Sequence, residues 1–173
     1  PIFVALSHFL HHHQGRKRFL IGYSGGPDSK ALLYGCLHLF AKNSLVVAHV
    51  NHNWRKESTD EELLIRQELE GLKLPYYIKR LQAPHEHNLS ENFARNERLQ
   101  FFSHLVKELD LQGVLLAHHK NDVAETVLKR IFEGAHLTSL YAMKESSAWH
   151  NMVVFRPVLT VLRKAILHFL RQK

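Results

Sequence analysis

The sequence is poor in residues and patterns that mark several large classes of protein. It contains a single cysteine, Cys36, which excludes an intramolecular disulfide framework and fits a reducing compartment. No run of about 18 apolar residues occurs, so no transmembrane helix is expected. A basic start followed by an apolar stretch and a cleavage site is also missing, so no secretory signal is expected. We therefore expect a cytoplasmic protein with no membrane among its partners.

Two common phosphate-binding loops are missing as well. The pattern G-x-G-x-x-G is not formed because Gly25 and Gly26 are adjacent, and G-x-x-x-x-G-K-S/T is not formed because Lys30 follows a serine. The chain has neither a cysteine cluster nor an H-E-x-x-H helix, which argues against a zinc site among its 15 histidines.

The size and composition of the chain are sufficient for one domain with a buried core. Because 45% of the 173 residues are hydrophobic, residues 1–173 are expected to form a single domain. The net charge of +7 favours polyanionic partners such as nucleic acid. The chain does not begin with methionine and stops in or just after an amphipathic helix, so we expect a fragment.

Apolar runs of strand length alternate with longer amphipathic segments. The expected strands cover residues 19–23, 45–50, 75–81, 113–117 and 152–155. The expected helices cover residues 1–13, 28–41, 58–72, 90–110, 121–134 and 160–171. The stretch around Ser146 and Ser147 is expected to be irregular. This βαβαβαβα order predicts an α/β fold, a Rossmann-like and mostly parallel sheet with helices on both faces.

A glycine-rich loop, Ser24-Gly25-Gly26-Pro27-Asp28-Ser29, joins the first expected strand to the next helix. Its two glycines can adopt positive φ angles and let the backbone approach an anion closely, and Pro27 suits the first helical turn. Backbone N–H groups then converge at the positive end of the helix, where phosphate binds in parallel α/β sheets. The alternative is a tight turn that only begins a helix.

Further polar motifs fall near the ends of expected strands and helices, where ligands bind in such a sheet. The segment His49-Val50-Asn51-His52-Asn53-Trp54-Arg55 either faces a nucleotide or forms an ordinary polar loop. Arg95 and Arg98 share a helical face, so they either bind phosphate or carboxylate or pair with nearby acids. On spacing alone, Arg156 is expected at the surface.

A pair of carboxylates, Asp122 and Glu125, opens the helix after His118. Their spacing of three residues places them on one helical face. A favourable interaction with the helix dipole explains them without any ligand. If they face the same crevice as the glycine-rich loop, they can instead hold Mg²⁺, which prefers oxygen ligands and substrate phosphates.

Together these motifs resemble, in order, those of the tRNA(Ile)-lysidine synthetase family, which are PP-loop enzymes of the ATP-pyrophosphatase superfamily. The resemblance covers the chain from about Phe19 to its end. Its pieces are residues 24–29, His49 to His52 with Arg55, Ala94-Arg95 with Arg98, His118-His119 with Asp122, Glu125 and Thr126, and Arg156-Pro157. Members of the family use ATP, Mg²⁺ and free L-lysine to convert the wobble cytidine of tRNA(Ile), which has a CAU anticodon, to lysidine.

The resemblance implies a two-step reaction in which the cytosine carbonyl oxygen attacks the α-phosphate of ATP and the lysine ε-amine then displaces AMP. The ATP-binding residues that it implies are Ser24, Gly25, Gly26, Pro27, Asp28, Ser29, His49, Asn51 and His52. The implied catalytic residues are Asp28, His118, Asp122 and Glu125, of which Asp28 and Asp122 are also candidate ligands of Mg²⁺. The implied substrate-binding residues are Arg55, Arg95, Arg98 and Arg156.

The chain departs from the family at two points, and other functions stay open. Asn53-Trp54 stands where the family often has a glycine-containing loop, and family members usually extend into C-terminal regions that help to grip tRNA. A homodimer is one option for the assembly. Sulfur-transferring PP-loop enzymes need reactive cysteines or an iron–sulfur cluster, which Cys36 alone cannot supply. Another PP-loop nucleotide-activating ligase and a non-catalytic nucleotide- or RNA-binding module are the alternatives.

Overall fold

The computed structural model describes residues 1–13, 18–53, 58–81, 91–134 and 143–173. The helices in these ranges are α1 (Ile2–His12), α2 (Pro27–Leu39), α3 (Ser58–Gly71), α4 (Glu91–Glu108), α5 (Lys120–Phe132) and α6 (Arg163–Arg171), with a short 3₁₀ helix at Lys42–Ser44. The strands are β1 (Phe19–Gly22), β2 (Leu45–Asn51), β3 (Tyr76–Arg80), β4 (Val114–Leu115), β5 (Ser146–Trp149) and β6 (Met152–Phe155). The predicted alternation of strands and helices is confirmed.

The strands form one sheet in the order β3-β2-β1-β4-β6-β5. β1 pairs in parallel with β2 and β4, and the outer pairs β2–β3 and β4–β6 are also parallel. This arrangement confirms the predicted, mostly parallel sheet. β1 lies at the centre of the sheet, with β2 and β3 on one side and β4, β6 and β5 on the other. A crevice therefore opens between β1 and its neighbours at the carboxyl ends of the strands.

The edge strand β5 differs from the prediction, which left the stretch around Ser146 irregular. β5 pairs antiparallel with β6, and Trp149 lies opposite Met152. The turn between them therefore consists of His150 and Asn151, with His150 at a φ of 48°. Two-residue turns of this kind usually begin with asparagine, aspartate or glycine. Because histidine occupies that position, the sequence carries little of the usual hairpin signal.

Alternate residues of β1 enter two separate hydrophobic cores. Phe19 and Ile21 pack with residues of α1, α2, α3 and α6, whereas Leu20 packs with residues of α4 on the other face. All three side chains are almost completely buried, as expected of a central parallel strand. The prediction of helices on both faces of the sheet is therefore confirmed.

Two expectations about apolar segments also agree with the structure. Cys36 is fully buried in the core that contains α2, and burial raises the pKa of its thiol, so it packs as a small hydrophobic side chain. Within the described ranges, the helices are too short or too polar to cross a bilayer.

Candidate functional site

A cavity of about 380 Å³ lies at the carboxyl ends of β1, β2 and β4, where the strand order reverses. Its walls are the glycine-rich loop, the end of β2, one face of α4 and the segment that leads into α5. The residues with polar side chains in its lining are Tyr23, Ser24, Asp28, Ser29, His49, Asn51, His52, Ser58, Glu61, Arg98, His118 and Asp122. Residues predicted from separate parts of the sequence thus meet in one cavity.

The glycine-rich loop is held in shape by one of its own hydroxyl groups. Ser29 is buried, and its Oγ donates to the carbonyl oxygen of Gly26 at 2.9 Å and accepts from the backbone N–H of Ser24 at 3.2 Å. Gly25 has a φ of 81°, in the left-handed region that favours glycine, whereas Gly26 has a φ of −73°. The loop therefore uses positive φ at one of its two glycines, and Ser29 shapes the loop.

Lys30, the first cation after the loop, is paired with a carboxylate of α3. Its Nζ lies 3.3 Å from Glu68, which also accepts hydrogen bonds from Tyr23 at 2.7 Å and Tyr34 at 2.9 Å. Burial raises the pKa of Glu68, but the hydroxyl groups and Lys30 outweigh this, so the pKa lies below its usual value. The ammonium group of Lys30 is therefore partly neutralised by a carboxylate of the protein itself.

The two histidines at the end of β2 are neutral. Nδ1 of the buried His49 lies 2.8 Å from the carbonyl oxygen of Tyr23. Because a carbonyl only accepts, Nδ1 carries the proton and Nε2 keeps its lone pair. Burial lowers the pKa of His49 and of His52, and the charge of Arg98 lowers that of His52 further. These rings therefore offer acceptors and apolar surface, which suit a nucleotide base better than phosphate.

Asn51 lines the cavity, but its amide group is engaged within the protein. Its Nδ2 donates to the carbonyl oxygen of Ser58 at 2.9 Å and to Glu62 at 3.0 Å, and its Oδ1 accepts from the backbone N–H of Asn53 at 2.8 Å. These bonds make Asn51 a residue that shapes the wall of the cavity. Arg55, predicted to bind substrate, lies outside the described residues.

His119 lies between Asp28 and Asp122, the two carboxylates that the resemblance implies as ligands of Mg²⁺. Its Nε2 is 3.5 Å from Asp28, its Nδ1 is 3.3 Å from Asp122, and its side chain is 4% exposed. His119 also caps α5, because its backbone N–H donates to Asp122 at 2.8 Å while Nδ1 accepts from the Asp122 N–H at 3.4 Å. No separate role was predicted for His119. Its spacing of three residues from Asp122, typical of a capping box, is the signal that was missed.

His118 is largely buried beside a cluster of arginines. Burial, and next the charge of Arg156, lower the pKa of His118 to about 4. Its Nδ1 is a buried atom with no hydrogen-bond partner among the described residues. His118 is therefore neutral at pH 7, and it is too weak a base to accept a proton efficiently there.

We expect the imidazole of His118 to titrate near pH 4 and not near its ordinary value of 6.5. The unfolded chain binds this proton more tightly, so the free energy of unfolding should decrease as the pH falls from 6.5 towards 4, with no further contribution below that. The measurement is an NMR titration of the ring signals, with a His118→Gln variant to assign them. A midpoint at or above 6.5 would show that the ring is solvated.

A second cavity, of about 700 Å³, adjoins the first. The side chains that line both cavities are His52, Arg98, His118 and Asp122. The second cavity is further lined by Ala94, Arg95, Glu125, Thr126, Lys129, Arg130, Glu133 and Met143. Arg95 and Glu125 therefore line the second cavity, and Arg98 and Asp122 lie at the boundary between the two cavities.

Arg156 is buried, so the surface position expected from spacing alone was wrong. The residue is 9% exposed, and its Nη1 donates to Oγ of Ser147 in β5 at 3.0 Å. Its charge, like those of Arg98 and Arg95, lowers the pKa of His118. The positive charges of three guanidinium groups therefore act on the imidazole of His118. Burial of Arg156 was missed because β5, which holds its side chain, was itself missed.

The carboxylates fit Mg²⁺ better than they fit zinc. Oδ1 of Asp28 is buried and has no hydrogen bond from the described residues, and Asp122 lies on the other side of His119. In the part of the chain that the structure describes, no three histidine, cysteine or carboxylate side chains are grouped to hold a metal. Such a sparse set of oxygen ligands suits Mg²⁺, which keeps several waters and shares phosphate oxygens, whereas zinc takes three or four protein ligands.

Comparison with known sequences identifies close relatives of the chain. A profile of the PP-loop domain matches residues 3–173. The tRNA(Ile)-lysidine synthase of Chlamydia caviae is 41% identical over 160 residues, which cover 90% of this chain and 49% of the relative. The protein of the same name from Protochlamydia amoebophila is 38% identical over 155 residues, which cover 88% of this chain and 34% of the relative. The chain thus spans about half the length, or less, of these curated relatives.

Solved structures with the same fold are more distant in sequence. The U34-tRNA thiolase NcsA of Methanococcus maripaludis, solved with its 4Fe–4S cluster, has a TM-score of 0.78 at 16% identity and covers 98% of this chain and 62% of its own. An NH3-dependent NAD synthetase of Campylobacter jejuni has a TM-score of 0.60 at 16% identity, covering 98% and 70%. Both similarities concern the fold alone. With the glycine-rich loop at the switch point of its sheet and a profile match over nearly its whole length, this chain belongs to the PP-loop family.

Proposed function

We propose that this chain carries the catalytic site for ATP-dependent ligation of L-lysine to the wobble cytidine of tRNA(Ile), with release of pyrophosphate and AMP. The names of its sequence relatives support the proposal. The observation that carries it is a pair of adjoining cavities with a shared wall. One cavity lies over the glycine-rich loop, and the other is rich in arginine, so a base activated in the first can meet a second substrate at the boundary.

In the first step, the carbonyl oxygen of the cytosine forms a bond to the α-phosphorus of ATP while the bond to the pyrophosphate oxygen breaks. The main-chain N–H groups of the glycine-rich loop bind the leaving pyrophosphate at the start of α2. Asp28 and Asp122 are the residues that would hold Mg²⁺, which supplies charge neutralisation for the pyrophosphate when it is bound. His49 and His52, both neutral, contact the base side of the nucleotide.

In the second step, the deprotonated ε-amine of lysine bonds to the ring carbon that carries AMP, and AMP leaves. Glu125 is an exposed carboxylate in the second cavity, and it suits the approach of an ammonium group. His118 orients the amine through a ring nitrogen and does not deprotonate it, because a pKa of about 4 makes its imidazole a poor base at neutral pH. Glu125 binds the lysine ammonium in this scheme, and the proton that the amine loses passes to water in the open second cavity.

Arg95 and Arg98 line the second cavity, and the buried Arg156 lies near Arg95 without lining that cavity. Burial lowers the pKa of Arg156, and its neighbour Arg95 lowers it further, which shows that like charges are held close together. The Nε of Arg156 is buried without a hydrogen-bond partner among the described residues. A lysine carboxylate or an RNA phosphate would relieve this repulsion and accept from the guanidinium groups.

The test is incubation of the protein with ATP, Mg²⁺, lysine and a tRNA(Ile) transcript. We expect AMP release that needs both lysine and tRNA, and a gain in tRNA mass equal to lysine minus water. The matched control is a transcript whose wobble cytidine is replaced by uridine, which should release no AMP. Because the curated relatives are about twice as long or longer, we expect weaker tRNA selectivity from this chain than from such a relative assayed in parallel.

Two other results of this assay would favour the alternative functions. AMP release with an amine other than lysine, independent of tRNA, would indicate another nucleotide-activating ligase of the PP-loop type. ATP binding without turnover, in this chain and in the longer relative alike, would indicate a binding module. Sulfur transfer is not a competing expectation, since the chain has one cysteine and that residue is buried.

A further inference from the structure

One face of α3 packs against two segments of the first cavity, the glycine-rich loop and the end of β2. Glu62 and Ile65 are three residues apart on α3 and both are buried. Ile65 backs the glycine-rich loop, because a Cβ atom on Gly25 would come within 2.9 Å of its side chain. Glu62 contacts Asn51 at the end of β2. The same helix therefore fixes the two segments that face each other across the cavity.

Glu62 is a buried carboxylate held by three side chains. It is 1% exposed and accepts hydrogen bonds from Asn51 at 3.0 Å, from Arg66 at 2.9 Å, and from Arg80 at 2.7 and 3.1 Å. The bonds from Arg80, with those from Asn51 and Arg66, outweigh burial and lower the pKa of Glu62 to about 2. The carboxylate is therefore charged at neutral pH and fixed on several sides.

Asn51 links this carboxylate to the segment that follows β2. Its side chain bonds to Asn53 on one side of residues 54–57 and to Ser58 on the other, so it ties the two ends of that segment together. His52, next to Asn51, lines both cavities. Because Oδ1 of Asn51 accepts from the backbone N–H of Asn53, this bond spans His52 and restricts the backbone there. Glu62 sets the orientation of the Asn51 amide, because its carboxylate accepts only from the N–H₂ side of that group.

We propose that Glu62 is a positioning residue, which acts through Asn51 to hold His52 in the wall that the bound nucleotide contacts. This role rests on the proposed use of ATP. It concerns a side chain that does not line either cavity at the site. It also changes the role of Asn51, from a ligand of ATP to the connection between Glu62 and the loop.

The test is the dissociation constant of ATP, measured by calorimetry, for the unmodified chain, Glu62→Gln, Asn51→Ala and the double variant. Each single change removes an acceptor or donor from a buried pair, so we expect each to weaken ATP binding about tenfold, which is about 1.4 kcal/mol. The double variant should also be about tenfold weaker, because the second change removes a contact that is already lost. Thermal unfolding of all four proteins is measured alongside.

The matched control is Glu70→Gln on the same helix. Glu70 is exposed and accepts a hydrogen bond from Tyr76 at 2.8 Å, so it has the same chemistry without a link to the cavity. Its ATP affinity should not change. Single-variant effects that multiply to about 100-fold in the double variant would overturn the proposal, because independent effects add in free energy.

The outcomes separate this proposal from the proposed function. Variants that unfold at lower temperature but bind ATP with unchanged affinity would show that Glu62 serves stability alone, and would overturn the positioning role. If the unmodified chain binds no ATP, the proposed function fails and this role fails with it. If the chain binds ATP and forms AMP while all variants bind equally well, only the positioning role fails.

Discussion

Replacing Gly25 with valine is expected to weaken ATP binding by about 100-fold. Gly25 has a φ of 81°, and a Cβ atom there would lie 2.9 Å from Cδ1 and 3.3 Å from Cγ1 of Ile65. A β-branched residue in the left-handed region costs about 1–3 kcal/mol, and the contact with Ile65 adds to this. We expect the loop to relieve the strain by leaving the conformation that the hydrogen bonds of Ser29 hold in place. A loss of about 3 kcal/mol corresponds to the expected change in the dissociation constant.

The control for this change is Gly71→Val, at the end of α3. A Cβ atom on Gly71 meets nothing within 4 Å, so its substitution should leave ATP affinity within about twofold. Both variants are measured by calorimetry with ATP and Mg²⁺, and circular dichroism checks that they are folded. Tight ATP binding by a folded Gly25→Val variant would show that this loop does not hold the triphosphate, and it would remove the basis of the proposed function.

Replacing Asp122 with asparagine is expected to lower the rate of AMP formation at saturating ATP by about 10²–10³-fold. The carboxylate of Asp122 accepts from the backbone N–H of His119 at 2.8 Å, and an asparagine oxygen can keep this bond and the cap of α5. What is lost is the negative charge at the boundary of the two cavities. The loss of one preorganised electrostatic group typically has an effect of this size.

The control for Asp122→Asn is Glu108→Gln. Glu108 is the last residue of α4, is exposed and lines neither of the two cavities. This change also replaces a carboxylate by an amide of the same shape, and AMP formation should stay within about twofold. Rates are compared over a range of Mg²⁺ concentrations, since weaker metal binding raises the concentration needed for half-maximal rate. An Asp122→Asn variant that forms AMP at the unmodified rate would exclude Asp122 from the reaction.

The parts of the fold and site that were predicted correctly depend on local sequence. The glycine-rich loop was recognisable because a strand, two glycines, a proline and a helix follow one another within residues 19–40. The parallel sheet followed from the alternation of apolar runs with amphipathic segments. A cytoplasmic location, a homodimer and the place of this domain in a longer protein stay predictions.

The parts that were missed depend on contacts between distant segments. His119 is three residues from Asp122, but its approach to Asp28 arises only when β1 and β4 become neighbours in the sheet. The hydrogen bonds of Asn51 to Ser58 and Glu62 likewise depend on how α3 packs beneath the end of β2. A polar residue near a strand end can bind a ligand or hold a loop, and only the tertiary partners decide which.

Helix α5 carries Asp122 and Glu125 yet contributes no buried side chain, and its Leu128, Ile131 and Phe132 are at least half exposed. Little hydrophobic packing therefore opposes fraying of this helix, and its first turn relies on the cap at His119. Under the proposed function, substrates that engage its carboxylates would restrict a helix that is otherwise weakly anchored. Part of their intrinsic binding free energy would then be spent on ordering α5, so that occupancy of the site and local stability of the helix would be thermodynamically linked.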